Sequence, residues 1–177
     1  KYAEAVVGQP SRINPLFAYM NDADRDVASL VFSGLTRLDK DGTPRPDLAS
    51  SWEMSDDGLS ATFHLRSGVK WHSGADFTSE DVVFTYGLLA NPAIQSDPEQ
   101  SALWQSITCT APDNLTVVCQ LPEPYAPFLA YASAGILPKH ILGTAAPETL
   151  GDDPFNTSPV GTGPYKADTV TDAAYTP

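Results

Sequence analysis

The sequence predicts an α+β fold, because short strand-like segments are mixed with well-separated helical ones. Apolar and polar residues alternate at 61–66 after a Ser-Asp-Asp-Gly turn at 55–58, which indicates a hairpin with the preceding 51–54. Thr78 and Asp81 then mark the start of a helix. The sequence contains no internal repeat of the period found in solenoids or propellers.

The first helix is predicted at residues 21–34, after a short strand at 2–7. Gly34 suits its C-terminal cap. Three polar residues can cap its start, namely Asn21, Asp22 and Asp24. One apolar stripe is expected to face the core, and it contains Val27, Leu30 and Val31.

The second helix is predicted at residues 78–89. Thr78 is the expected N-cap with Asp81 completing a capping box, and Asn91 followed by proline ends the helix. Its buried stripe is expected to contain Val82, Val83, Tyr86 and Leu89. Further on, residues 136–142 are predicted to contain a short helix and 143–158 to form a loop.

The two cysteines, Cys109 and Cys119, flank a turn-favouring Pro-Asp-Asn at 112–114. In a hairpin whose loop is centred on Asn114, they lie directly opposite each other. In an oxidising compartment they would form a disulfide, which is the state we expect. In a reducing cytosol they would instead be two small core residues.

Composition excludes several classes of partner. Hydrophobic residues make up 42% of the 177 residues and charged residues 18%, which is typical of a folded globular protein. The net charge of -12 repels phosphate backbones and anionic lipid, so neither nucleic acid nor a membrane surface is an expected partner. The first residues lack the features of a signal peptide, so an exported protein would be present here in processed form.

No sequence pattern of catalysis or of cofactor binding is present. Neither Gly-x-Ser-x-Gly nor a P-loop occurs, and proline follows the Gly-Thr-Gly at 161–163 where a dinucleotide loop would need a helix. The three histidines, His64, His72 and His140, lack the spacing of zinc ligands. We therefore expect no enzyme, no cofactor and no metal. The alternative is an exported hydrolase that uses scattered carboxylates.

A set of motifs in fixed order resembles the family 5 extracellular solute-binding proteins. The motifs lie at residues 13–16, 32–35, 46–49, 51–53, 55–58, 62–66, 68–74, 77–82, 137–140 and 161–165. They cover nearly the whole chain, and their order is more specific than any one of them. Members of this family bind dipeptides, oligopeptides, nickel chelates and some sugars.

The resemblance implies the N-terminal part of a two-lobe, type II periplasmic-binding-protein-like fold, with mixed sheets and flanking helices. Residues 1–35 would start lobe I, and 36–158 would form an α+β subdomain associated with it. Residues 159–177 would return into lobe I, and lobe II would be absent from this chain. The two lobes of such proteins close on a ligand about a hinge.

The same resemblance implies the substrate-binding component of an ABC importer. Such a protein captures peptides outside the cytoplasmic membrane and delivers them to the permease subunits. It would be a periplasmic or extracellular monomer, attached to the cell surface by a signal or lipoprotein anchor outside this chain. The alternatives are a nickel-chelate or oligosaccharide receptor of the same family, or an interaction domain of another class.

The ligand contacts that the resemblance implies lie in one loop and one tryptophan. Tyr19, Met20, Asn21 and Asp22 match the loop that offers backbone groups to an extended peptide in peptide-binding relatives. The alternative is that this loop only caps the helix that follows. Trp104 matches a region that reaches the cleft in some relatives, and a core role is its alternative.

Overall fold

The structure is a computed structural model that describes residues 8–167. Its α-helices are α1 (Asp22–Val31), α2 (Ser79–Ala90), α3 (Pro98–Ser106), α4 (Phe128–Tyr131) and α5 (Lys139–Leu142). Its strands are β1 (Thr36–Leu38), β2 (Pro44–Pro46), β3 (Ala49–Met54), β4 (Ser60–Leu65), β5 (Thr108–Asp113) and β6 (Thr116–Gln120). This mixed order confirms the α+β prediction. The strand predicted at residues 2–7 lies outside the described residues.

A four-stranded antiparallel sheet has the strand order β3-β4-β6-β5, and a smaller sheet pairs β1 with β2. The predicted hairpin joins β3 to β4, with Trp52 opposite Phe63. Gly58 closes its turn with a φ of 69°, which glycine adopts without strain. In β4, Ala61, Phe63 and Leu65 are buried while the residues between them are only half-buried. The predicted alternation is therefore confirmed.

The core lies where the helices meet one face of the large sheet. Helix α2 packs against α3 and against strands β5 and β6. Phe128 of α4 joins the two layers, because its ring lies 6.1 Å from that of Phe63 and 5.9 Å from that of Trp104. These contacts fix α3 and α4 relative to the sheet.

The two cysteines meet as predicted. Cys109 of β5 pairs with Cys119 of β6 across the hairpin, and their sulfur atoms form a disulfide. Cys119 is fully buried, and Val117 beside it on the same face is buried as well. The structure therefore contains the expected disulfide and not the alternative of two free thiols.

Helix α1 confirms one predicted cap and corrects the other. Asn21 caps its start, because the side-chain oxygen accepts a hydrogen bond from the backbone N–H of Ala23 at 2.9 Å. The helix ends at Val31, so the predicted C-terminal cap at Gly34 was wrong. A Cβ atom at Gly34 would lie 2.5 Å from the backbone of Ser133. Glycine is therefore required there by close packing of two chain segments.

The start of α2 is fixed by the buried carboxylate of Asp81, which is 4% exposed. Both contacts of the predicted capping box with Thr78 are present. The same carboxylate also accepts hydrogen bonds from the Trp71 indole at 3.3 Å and from the backbone N–H of Lys139 at 2.9 Å. One side chain therefore connects the loop before α2, the helix itself and the start of α5.

The segment after α4 differs in detail from the prediction. Helix α5 occupies only the last four residues of the range 136–142, because Pro138 stands at its N-cap. The predicted loop contains two 3-10 helices, Pro147–Asp152 and Pro154–Asn156. Each begins with proline, whose fixed φ favours the first turn of a helix.

Replacing Asp81 by asparagine should lower the free energy of unfolding by about 2 kcal/mol, because an amide cannot accept all three buried N–H groups. Urea unfolding followed by circular dichroism measures this. Glu80→Gln is the matched control, since it removes a carboxylate charge from the neighbouring residue. The Glu80 side chain is exposed and pairs with Lys139. That control should change stability by less than about 0.5 kcal/mol. Equal losses in the two variants would contradict the role given to Asp81.

Reducing the disulfide should lower the free energy of unfolding by about 2–3 kcal/mol, because the cross-link between Cys109 and Cys119 restricts the unfolded chain. Urea unfolding with and without reductant measures the difference. A variant with serine at both positions should be insensitive to reductant. Titration of two free thiols in the unfolded, unreduced chain would rule out the bridge.

Candidate functional site

The loop at residues 19–22 exposes side chains beside the start of α1. A 3-10 helix, Ala18–Met20, turns into the extended backbone of Asn21. Met20 is 52% exposed and Tyr19 is 37% exposed. The Tyr19 hydroxyl donates a hydrogen bond to the backbone carbonyl of Gln95 at 3.1 Å. This bond links the loop to the segment that precedes α3.

Asn21 and Asp22 already have partners within the chain. Besides capping α1, Asn21 donates from its amide nitrogen to the carbonyl of Gln9 at 3.1 Å. Asp22 forms an exposed ion pair with Arg25 at 2.6 Å. The capping role considered for this loop is therefore confirmed for Asn21. Ligand contact by the four loop residues stays a prediction.

Two clefts lie on either side of this loop. One, of about 210 Å³, runs between α1 and the start of α3, and Tyr19, Arg25 and Asp97 line it. The other, of about 230 Å³, is lined by Met20 and contains Arg12 and Glu148 among its charged residues. Each cleft therefore offers both a positive and a negative side chain beside the exposed loop.

A buried asparagine pair holds the segment that leads into the loop. Asn14 and Asn156 are 0% and 2% exposed, and the side-chain amide of Asn14 donates to that of Asn156 at 2.9 Å. Asn14 also accepts from the backbone N–H of Leu16 at 3.0 Å. No local sequence pattern indicates this pair, because its members are 142 positions apart.

Asp24 fixes the same segment from the side of α1. Its buried carboxylate accepts hydrogen bonds from the backbone N–H groups of Ser11 and Arg12, at 2.5 and 3.1 Å. The Ser11 hydroxyl adds a third bond at 3.0 Å. The sequence predicts Asp24 only as a possible helix cap. In the structure its hydrogen bonds instead connect the chain before the loop to the first turn of α1.

The Gly-Thr-Gly segment at 161–163 packs under the end of α1. The backbone N–H of Gly163 donates to the carbonyl of Val31 at 2.8 Å. A Cβ atom at Gly161 would lie 1.9 Å from that same carbonyl oxygen. His72 holds the segment from the other side, with its Nε2 2.9 Å from the carbonyl of Gly163. These glycines therefore serve close backbone packing.

Trp104 lies apart from the loop and lines neither of the two clefts. Its side chain is 1% exposed and stacks on Tyr86, with ring centroids 3.8 Å apart and planes inclined by 17°. This packing matches the core role that was the alternative for Trp104. Its contact with a ligand stays a prediction.

One titratable pair lies on the helices beside the first cleft. Glu99 of α3 accepts a short hydrogen bond from the Tyr131 hydroxyl, which raises the pKa of that phenol above its usual range.

Between residues 8 and 167 we find no group of three or more His, Cys, Asp or Glu arranged to hold a metal ion. Within the same residues, no helix is long and apolar enough to cross a membrane.

The chain has part of the fold of the type II periplasmic binding proteins, since it covers about a third of the solved structures that it matches. Residues 43–176 match the family model described as "Bacterial extracellular solute-binding proteins, family 5 Middle". The chain therefore belongs to this family. Members of this family are periplasmic or extracellular solute-binding proteins. The implied fold and family are thereby confirmed.

Among proteins of similar sequence, Protein XP55 of Streptomyces lividans is 38% identical over 161 residues, which is 90% of this chain and 28% of that protein. The oligopeptide-binding protein AppA of Bacillus subtilis is 31% identical over 164 residues, which is 90% of this chain and 30% of AppA. The chain therefore spans less than a third of the length of either relative.

Two solved structures match the fold over most of the chain. AppA of Bacillus subtilis, in complex with a nonapeptide, superimposes with a TM-score of 0.86 at 28% identity, covering 95% of this chain and 34% of AppA. NikZ of Campylobacter jejuni, in complex with Ni(L-His), gives a TM-score of 0.82 at 38% identity, covering 93% of this chain and 32% of NikZ.

Replacing Asn21 by alanine should lower the free energy of unfolding by about 1 kcal/mol, because the N-terminal cap of α1 is lost. Asn21→Asp keeps the accepting oxygen and should stay close to the parent chain. Urea unfolding of the alanine and aspartate variants measures the difference in their free energies of unfolding. If the alanine variant is as stable as the aspartate variant, the capping bond contributes nothing to stability.

Proposed function

We propose that this chain is part of a receptor that captures peptides outside the cytoplasmic membrane and delivers them to the permease subunits of an ABC importer. The observation that carries the proposal is the exposed loop at residues 19–22, which lies between two clefts of mixed charge in a family 5 chain. AppA, a relative at 31% identity, is an oligopeptide-binding protein.

The arrangement suits a peptide held in an extended conformation. Backbone groups of the loop would pair with the peptide backbone, which permits many sequences to bind. Tyr19 and Met20 would contact its side chains, because both are exposed. Arg25, which pairs with Asp22, and Asp97, which caps α3, line the first cleft and would also face the charged groups of a zwitterionic peptide.

Asn21 and Asp22 contribute to this site mainly through the backbone, since their side chains cap α1 and pair with Arg25. Trp104 lies in α3, the helix that also carries Gln100 into the first cleft, and would act on the ligand through that helix. Its packing supports a positioning role there. Binding would require closure of a second lobe over the loop and no chemical step.

We propose the domain division that the resemblance implies. Residues 1–35 and 159–177 would belong to lobe I, and 36–158 would form its associated subdomain. The backbone bonds from Gly163 and Tyr165 to the end of α1 support the pairing of the first and last of these segments. Lobe II would be encoded outside this chain, which fits the length of the relatives.

We further propose that the receptor works as a monomer, performs no catalysis and is anchored at the cell surface. The disulfide supports an oxidising location, because such bridges persist outside the reducing cytosol. Permease subunits would be its protein partners.

A nickel-chelate receptor is the second candidate. The likeness to NikZ in complex with Ni(L-His), at 38% identity, favours it. In that case the chelate, rather than the peptide backbone, would occupy the space beside Tyr19 and Arg25. The two candidates differ in the ligand and share the closing cleft.

Isothermal titration calorimetry of the full-length receptor against tri- to pentapeptides and against nickel-histidine tests the proposal. Peptides should bind, and Tyr19→Ala should weaken their binding about tenfold, because truncating an interface aromatic commonly costs more than about 1 kcal/mol. Leu115→Ala, at an exposed position in the β5–β6 turn, is the control and should bind like the parent.

Binding of nickel-histidine without any peptide binding would replace the first candidate by the second. The isolated 177-residue chain provides a second comparison. It should bind peptides at least about 100-fold more weakly than the full-length receptor, because the facing lobe supplies much of the buried contact. Equal affinity would contradict the need for a second lobe.

A further inference from the structure

Met20, in the loop at residues 19–22, is unusual in its exposure. Its side chain is 52% exposed, the highest value among the large apolar residues between 8 and 167. Methionine is flexible and apolar, and it more often fills gaps in a core. The other methionine of the chain, Met54 at the end of β3, is also exposed but lines neither cleft beside the loop. Only Met20 therefore belongs to the candidate site.

The second cleft, of about 230 Å³, has Met20 in its lining together with covered apolar residues and a charged pair. Phe17 and Ile94 are each only 4% exposed. The guanidinium of Arg12 lies 5.9 Å from the centre of the Phe17 ring and 3.7 Å from the carboxylate of Asp152. Met20 is therefore the largest apolar side chain that a ligand can reach in this cleft.

The thioether of Met20 is the one sulfur group of the loop, and a hydroperoxide converts it into a sulfoxide. A lone pair of the sulfur forms the S–O bond while the O–O bond of the peroxide breaks. With hydrogen peroxide, the second oxygen leaves as water. The sulfur is oxidised by two electrons and the peroxide is reduced by two. A polar group thereby replaces an apolar one.

The disulfide bears on whether such oxidants reach the loop. The bridge between Cys109 and Cys119 supports a location outside the reducing cytosol. It also uses both cysteines of the chain, so no free thiol competes for the oxidant. The two methionines are then the sulfur groups most open to oxygen transfer, and Met20 is the more exposed of them.

We propose that Met20 is a site of oxidation that weakens the capture of peptides with large apolar side chains, an inference that rests on the function proposed above. The sulfoxide oxygen is a hydrogen-bond acceptor that water solvates, and covering it with an apolar side chain leaves it unpaired. The Arg12 guanidinium, which only donates hydrogen bonds, lies in the same lining and favours the oxidised form. Peptides with small side chains do not cover the sulfoxide and keep their affinity.

Calorimetry of the full-length receptor against tri-leucine, before and after treatment with hydrogen peroxide, tests this site. Mass spectrometry of proteolytic fragments measures the oxidised fraction of Met20 and of Met54. Receptor with Met20 fully oxidised should bind tri-leucine about fivefold more weakly, because apolar contact is lost. Its affinity for trialanine should change by less than about twofold, because a methyl group covers little of the loop.

Three variants separate Met20 from every other oxidisable group of the receptor. Met54→Leu removes the methionine outside the clefts and should lose affinity on treatment as the parent does. Met20→Leu has no sulfur in the loop, so treatment should leave its affinity for tri-leucine within about twofold of its own untreated value. Met20→Gln carries a polar amide on a chain of similar length and should bind tri-leucine about fivefold more weakly than the parent without any oxidant.

Three results would overturn the proposal. They are a Met20 that stays reduced while Met54 is oxidised, an unchanged affinity for tri-leucine after complete oxidation of Met20, and a loss in treated Met20→Leu as large as in the parent. A receptor that binds tri-leucine equally before and after oxidation refutes this inference alone. An untreated receptor that binds no peptide refutes the proposed function, and this inference with it.

Discussion

The buried carboxylate of Asp81 is the interaction on which the arrangement of the described chain depends. It accepts hydrogen bonds from the indole of Trp71, from Thr78 and from the backbone of Lys139. A buried charge is stable only when such partners surround it. Its own backbone carbonyl accepts from Thr85, whose hydroxyl in turn accepts from the N–H of Leu137. Loop, helix and the start of α5 are thereby held in one network.

The hydrogen-bond network around Asp81 also orients the candidate site, although Asp81 itself does not line either cleft. Helix α2 packs on α3, and the start of α3 forms one wall of the first cleft. The opposite wall is α1, which Asp24 and the Asn14–Asn156 pair hold against the preceding chain. The exposed loop at 19–22 therefore lies between two separately fixed helices. Such support keeps a binding surface in one geometry before a ligand arrives.

The features that the sequence predicted well depend on residues close together in the chain. The capping box at Thr78, the cap at Asn21 and the pairing of Cys109 with Cys119 each involve partners at most ten positions apart. The cap at Gly34 was predicted wrongly because its true neighbour, Ser133, lies about a hundred positions away in the sequence. Local patterns contain no information on such approaches.

The candidate site was predictable to a similar extent. The loop at 19–22 was proposed from family resemblance, but the clefts beside it are formed with residues such as Gln95, Asp97 and Glu148 that no local pattern connects to it. Trp104 shows the limit most clearly. Its residue type fits both a ligand platform and a core, and no local pattern reveals that it stacks on Tyr86.

The close packing of Gly161 and Gly163 under α1 has a consequence for how the chain folds. These glycines meet the carbonyl of Val31 about 130 positions earlier, so a very long stretch of chain must be closed before the contact can form. Loop closure of this kind loses entropy before any contact compensates for it, and non-local pairings slow folding. The hairpins and α2 can therefore assemble first, and the seating of this segment would be among the last events.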